Sequence, residues 1–231
     1  MIYIVDFGSQ VTQLIARRVR ESGVYCEIVN NKNLLQKISK QKPSGIIFSG
    51  GPASVHKART PKIDNKVFDL NIPILGICYG MQLIVHQLGG KVKISKQREF
   101  GRTLIKLKNK SILFKGIKTK DKQLNVWMSH GDKAINLPKD FFVTAFSKNS
   151  KFSAIENKKS NIYGLQFHPE VAHTSQGEKI INNFVFNACR TKATLSMQNY
   201  LKTQIKKIKE QVSKDHVICG LSGGVDSMVT A

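Results

Sequence analysis

The sequence predicts an α/β protein, a mixed sheet covered by helices, followed by the truncated start of a second α/β domain. Three observations carry this. Short β-branched runs alternate with longer amphipathic stretches as far as residue 90. From about residue 91 the rhythm changes to short strands separated by turns. After Arg190 an amphipathic stretch, an apolar run and a glycine loop restart the first pattern.

The elements follow in order. "IYIVDF" (2–7) reads as a buried strand. "QVTQLIARRVRESG" (10–23) reads as a helix closed by Gly23, with Val11, Leu14, Ile15, Arg18 and Val19 at helical spacing. "YCEIVN" (25–30) is a strand, and "NLLQKISKQ" (33–41) a helix that ends before Pro43. "GIIFSGG" (45–51) and "PILGIC" (73–78) are strands, and "GMQLIVHQLGG" (80–90) is a helix ending in Gly-Gly. This alternation is the pattern of a parallel, helix-covered sheet. "GKVKIS", "RTLIKLK", "LNVWMS", "FFVTAFS", "FSAIEN" and "IYGLQF" read as six short strands in an antiparallel or mixed addition. "KIINNFVFNACR" (179–190) returns to helical period and closes a first domain, 1–190. The remainder, 191–231, reads as a helix "LSMQNYLKTQIKKIKEQVS" (195–213), a strand "HVICGL" (216–221) and a loop "SGGVDS" (222–227) before "MVTA". One strand, one loop and a helical turn do not enclose a core of their own.

The net charge of +22, from 37 basic against 15 acidic residues, raises nucleic acid as a partner. The detail argues against it. Thirty of the basic residues are lysines spread along the whole chain. Base reading leans on arginine, and no basic stripe interleaved with aromatics is present. A lysine-rich coding bias explains the charge without a partner, while still favouring anionic substrates such as nucleotides. The four cysteines, Cys26, Cys78, Cys189 and Cys219, are far apart, so no metal-ligand spacing and no disulfide scaffold is read. The first residues, "MIYIVDFGSQ", are strand-like rather than a signal peptide, and no apolar run reaches the length of a membrane span. A cytoplasmic setting without membrane contact is expected.

The chemistry centres on "ILGICYGMQL" (74–83). A strand, then Gly-x-Cys-x-Gly, then a helix is the layout of a nucleophile elbow. Small neighbours let the chain turn sharply and project the Cys78 thiol at the carboxyl end of the sheet, where α/β folds bind ligands. The start of the following helix favours a thiolate. The competing reading is a buried cysteine acting as a small hydrophobe. "QFHPEV" (166–171) tips the balance. His168 and Glu170 lie two apart at a strand end and would point the same way. A histidine beside the thiol would take and return its proton, and a carboxylate behind it would orient the ring. "FSGGP" (48–52) could offer backbone N–H groups at Gly50 and Gly51 to an oxyanion, with the N–H of Tyr79, although Gly-Gly-Pro is also simply a tight turn.

"GICYGMQ", "SGGP" and "GLQFHPEV" resemble the three signatures of the class I glutamine amidotransferases of the triad type. "DFGSQ" (6–10), "REFGR" (98–102) and "WMSHGD" (127–132) narrow the resemblance to the amidotransferase half of the GMP synthase family, and "GLSGGVDS" (220–227) resembles the ATP pyrophosphatase loop that opens the second half. The resemblance implies that Cys78 attacks the glutamine side-chain amide, His168 shuttles protons, Glu170 orients His168, Gly51 and Tyr79 hold the oxyanion, and Gln82 helps hold the substrate. It implies that ammonia passes to a second half in which xanthosine monophosphate (XMP) is activated by ATP and aminated to GMP. Ser222, Gly223, Gly224, Val225, Asp226, Ser227 and Met228 would bind ATP with Mg2+ there, and the full-length family implies a homodimer. His130 would shape the glutamine pocket; His86, Cys26 and Cys219 read as packing residues, and His173 as a local hydrogen-bonding residue.

Family members continue with the rest of the pyrophosphatase domain and a dimerisation domain. The sequence ends at Ala231, so GMP synthesis from this chain alone is not expected. Three readings stay open: a fragment of a two-half enzyme, a separate amidotransferase subunit, and an inactive product of a decaying gene. The "SGGVDS" loop favours the first. A glutamyl peptidase-like hydrolase would keep Cys78, His168 and Glu170 but has no reason to carry that loop.

Overall fold

The computed structural model describes residues 1–57 and 60–230, apart from the side chains of residues 96, 97, 197, 226 and 230. The chain forms two compact units, Met1–Thr194 and Leu195–Ala231.

The first unit is built on a nine-stranded sheet. In chain order its strands are β1 (Ile2–Asp6), β2 (Cys26–Asn30), β3 (Gly45–Phe48), β4 (Ile74–Ile77), β5 (Lys91–Leu107), β6 (Gln123–Asn136), β7 (Phe142–Ser147), β8 (Ala154–Asn157) and β9 (Ile162–Leu165). The spatial order is β2-β1-β3-β4-β9-β8-β7-β5-β6. From β2 to β9 neighbouring strands are parallel. From β9 to β6 they are antiparallel. The predicted fold class, a mixed sheet flanked by helices, is the observed one.

Both faces of the parallel half are covered, which is why its strands read as continuous apolar runs. Along β1, Ile2 and Ile4 enter one core cluster and Tyr3 and Val5 the other. The first cluster takes Ile15, Ala16 and Val19 from α1 (Thr12–Glu21). It also takes Ile180 and Ile181 from the later helix α4 (Gly177–Asn182), which runs on as a π-helix, Asn183–Ala188, bringing Phe184. The second takes Leu34 and Ile38 from α2 (Leu34–Lys40), and Met81, Leu83 and Ile84 from α3 (Tyr79–Gln87). Each fully buried Ile or Leu contributes about 1.5–3 kcal/mol.

Two expectations for this unit change. "GKVKIS" and "RTLIKLK" are parts of one strand, because β6 pairs with β5 on both sides of a register shift between Ile94 and Glu99. "QFHPEV" lies beyond β9, which stops at Leu165, and turns rather than continuing as a strand.

The second unit holds α5 (Met197–Val212) and α6 (Val225–Thr230). α5 has the predicted amphipathic pattern, and its Leu201, Ile205 and Ile208 are exposed. The strand expected over 216–221 is not formed. Those residues have no regular structure, and Val217, Ile218 and Leu221 are exposed. A strand must pair its backbone groups with a neighbour, and the described residues of this unit offer none.

Candidate active site

Every parallel strand that carries a sequence motif ends on the same edge of the sheet. The loop after β1 brings Gly8, Ser9 and Gln10, the end of β3 brings Gly50 and Gly51, β4 brings Cys78, and the chain after β9 brings His168. The carboxyl edge of a parallel sheet is where such folds place ligands.

Cys78 is the hinge between β4 and α3. Its φ of 51° and ψ of −105° are backbone angles that a non-glycine residue adopts only when its surroundings impose them. The surroundings are visible. Its N–H donates to the Leu165 carbonyl at 2.7 Å. The Gly80 N–H donates to the Ser49 carbonyl at 3.1 Å, tying the elbow to β3. A Cβ at Gly76 would lie 2.6 Å from the Gly80 carbonyl carbon, and one at Gly80 would lie 2.5 Å from the Phe48 carbonyl oxygen. Both glycines are therefore required by close approach of backbone. The strain is held by the packing and presents the thiol, which is 5 % exposed, to the cavities beside it.

His168 and Glu170 are joined directly. His168 Nδ1 lies 2.7 Å from Glu170 Oε1. Strand alternation alone would put their side chains on one face without joining them; the turn through Pro169 brings them into contact. Since the carboxylate only accepts, Nδ1 carries the hydrogen and Nε2 is left for Cys78. Burial works to lower the His168 pKa, but hydrogen bonding and charge at Cys78 and Glu170 outweigh it and raise it to about 10. Glu170 is completely buried, and the Arg18 Nε donates to its main-chain oxygen at 3.1 Å. A methyl on Gly50 would sit 3.1 Å from His168 Cε1 and 3.8 Å from Cys78 Cβ, so this glycine lies against the pair.

Two cavities meet at the sulfur. One, of about 400 Å³, is bounded by Ser9, Gln10, Gly51, Cys78, Trp127 and His168. The other, of about 470 Å³, is bounded by Gly51, Cys78, Gln82, Arg98, His130 and Asp132. Gly51 borders both. Tyr79 is the first residue of α3 and follows Cys78 directly, so its N–H has no acceptor within the helix. Its phenol is directed away, donating to the Pro61 carbonyl at 2.6 Å.

A polar chain runs from the sulfur to the far wall of the second cavity. Gln166 Nε2 lies 3.8 Å from Cys78 Sγ. Gln82 Nε2 donates to Gln166 Oε1 at 3.4 Å and to the Asp132 main-chain oxygen at 2.8 Å. The same carbonyl is 3.0 Å from His130 Nδ1, and His130 Nε2 is 3.1 Å from Glu99 Oε2. Burial pushes the Glu99 carboxyl up, but His130 and Ser147 outweigh it and hold it below its ordinary value. Asp132 Oδ2 is buried and, among the described residues, without a hydrogen-bond partner.

Gln166, Glu99 and Asp132 are the residues that sequence reasoning passed over, although all three sit inside the quoted motifs. A glutamine in the apolar run "IYGLQF" was the available signal, since a buried amide needs partners. The phosphate-type loop is a separate matter. In the second unit Ser222 Oγ pairs with Ser227 Oγ at 3.0 Å, the Ser227 hydroxyl reaches the Gly224 carbonyl at 2.8 Å, and Gly223 has a φ of 78°. Val225 and Met228 are exposed, and the Asp226 side chain lies outside the described residues. The loop has donors for a phosphate. Among the described residues no group of side chains that could hold a metal ion is present.

Residues 3–188 match the family described as glutamine amidotransferase class-I. Across all 231 residues the chain is 48% identical to a "GMP synthase [glutamine-hydrolyzing]" of Clostridium tetani and spans 45% of that protein. It is 50% identical to the protein of the same description in Helicobacter pylori, spanning 44% of it. The chain thus spans less than half the length of these relatives. Among solved structures, a putative GMP synthase subunit from Thermoplasma acidophilum superposes with a TM-score of 0.70 at 34% identity, over 88% of this chain and 96% of that one.

Proposed function

The chain belongs to the class-I glutamine amidotransferases, and from that premise we propose that Cys78, His168 and Glu170 hydrolyse the side-chain amide of glutamine to glutamate and ammonia. The observation that carries the reading is a strained cysteine elbow beside a histidine that is itself bonded to a buried carboxylate.

The steps follow from the geometry. The thiol proton passes to His168, whose affinity for it is raised by Glu170, and the sulfur adds to the amide carbon. Negative charge collects on the amide oxygen. Gly51 borders the space beside the sulfur and Tyr79 follows Cys78 at the start of α3, which supports their N–H groups as the donors for it. Collapse expels ammonia with the proton from His168, leaving a γ-glutamyl thioester on Cys78. His168 then takes a proton from water, which attacks the thioester; the C–S bond breaks, glutamate leaves and the proton on His168 returns to the Cys78 sulfur. Glu170 keeps the ring in one tautomer throughout.

The second cavity suits the rest of the substrate. Glutamine brings an ammonium and a carboxylate, and the wall offers Asp132 and Arg98. The unpartnered Asp132 oxygen gains a charged donor, and Gln82 holds the Asp132 main chain in place. The resemblance to GMP synthases supports XMP as the eventual acceptor of the ammonia, through ATP activation by a larger assembly. In that reading residues 222–228 belong to an ATP site completed by chain outside these 231 residues, and the homodimer belongs to the assembly too. The test is ammonia release from glutamine by the purified chain and by Cys78→Ala. The reading requires release by the first and none by the second; equal release by both would overturn it.

A further inference from the structure

We propose that Thr174 is a positioning residue for His168, acting through a hydroxyl-bridged rung between the chain after β9 and strand β6. This rests on the reading of Cys78 and His168 as the reacting pair. The His168 N–H donates to the Trp127 carbonyl at 3.0 Å. In an ordinary antiparallel pair the Trp127 N–H would return a bond to the His168 carbonyl. Here the Thr174 hydroxyl stands between them. The Trp127 N–H donates to Thr174 Oγ1 at 2.9 Å, and the hydroxyl donates to the His168 oxygen at 2.6 Å. A hydroxyl has one hydrogen to give and lone pairs to receive, so both contacts are satisfied at once.

The consequence is geometric. His168 is held at its N–H directly by the Trp127 oxygen and at its carbonyl, through the Thr174 hydroxyl, by the Trp127 N–H. That segment also carries Ser129, whose carbonyl lies 3.5 Å from Cys78 Sγ. Thr174 thereby fixes the base relative to the strand that lines the sulfur. Thr174 is 4 % exposed, and its own N–H is tied to the Val171 carbonyl at 3.1 Å, so the hydroxyl has little freedom. Its neighbour His173 stacks on the Trp127 ring at 4.5 Å between centroids, which holds the same turn against the same strand.

The experiment compares Thr174→Val, which keeps the shape and removes the hydroxyl, with Thr174→Ser, which keeps the hydroxyl. Two readouts are taken on the full chain: kcat and KM for glutamine hydrolysis, and the rate of Cys78 alkylation by iodoacetamide against pH. The second needs no turnover, so it decides the role of Thr174 even if the glutaminase reading fails. Leaving the Trp127 N–H and the His168 carbonyl unpaired lowers kcat about tenfold or more with KM within about twofold, and displaces the alkylation profile, while serine stays within about threefold of the parent. Valine matching the parent in both readouts overturns the proposal, as does serine falling as far as valine. If the valine variant does not fold, Thr174→Ala is read against serine by the same criteria.

Discussion

Replacing Glu170 by glutamine removes a negative charge 2.7 Å from His168 Nδ1 while keeping the shape of the side chain. Of the influences on His168, burial lowers its pKa, and the bonds and charges at Cys78 and Glu170 raise it to about 10. Losing the Glu170 share leaves burial less opposed, so the pKa falls. A charge-assisted hydrogen bond contributes about 1.5–3 kcal/mol, which corresponds to about 1–2 pKa units. The basic limb of kcat/KM for glutamine hydrolysis should therefore move from near pH 10 to about pH 8–9. The amide can also donate to Nδ1 and select the wrong tautomer, so kcat should fall by about 10²–10⁴. Stability follows the same sign. A folded pKa raised above the ordinary 6.5 stabilises fully below pH 6.5, and that contribution fades as pH rises towards 10. The Glu170→Gln variant should lose more melting temperature at pH 6 than at pH 10. Ammonia release measured across pH, with melting curves at both ends, checks all of this. A basic limb that stays put, with kcat within about threefold of the parent, would mean that Glu170 does not set the proton affinity of His168.

Three further outcomes follow from the geometry. Gly80→Ala drives a Cβ within 2.5 Å of the Phe48 carbonyl oxygen, so it should cost about 3 kcal/mol or more and lower the melting temperature by about 5–10 °C. Asp132→Asn removes the charge proposed to hold the substrate ammonium; KM for glutamine should rise about 10–100-fold with a smaller change in kcat, as steady-state kinetics would show. A chain ending at Thr194 keeps every residue of the proposed glutaminase site, so its glutamine hydrolysis should stay within about threefold of the full chain.

Some of this architecture was legible in residue order because it is local. The Gly76 and Gly80 spacing around Cys78 records a backbone contact within a few residues, and a reader of the sequence can infer the elbow. The parallel strands were legible because both of their faces are buried, which leaves apolar runs with clear ends. Other features depend on partners distant in sequence. Whether 91–107 is one strand or two is decided by pairing with β6, a separate stretch of chain. The run "HVICGL" has strand-like composition, but the described residues of its unit offer no neighbouring strand for its backbone to pair with. His168 and Glu170 were expected to share a strand face; the turn after β9 joins them instead, a distinction invisible in a spacing of two. Gln166 and Thr174 act through a sulfur and two main-chain groups, and residue identity alone does not say which carbonyl a hydroxyl will meet.

In the proposed reaction the Cys78 sulfur bonds to the glutamine side-chain carbon. Rapid acid quench of the chain during turnover, followed by peptide mass spectrometry, tests it directly. One γ-glutamyl group is expected on the peptide containing Cys78, and none in Cys78→Ser. Glutamine turnover with no adduct on that peptide, persisting in Cys78→Ser, would contradict it.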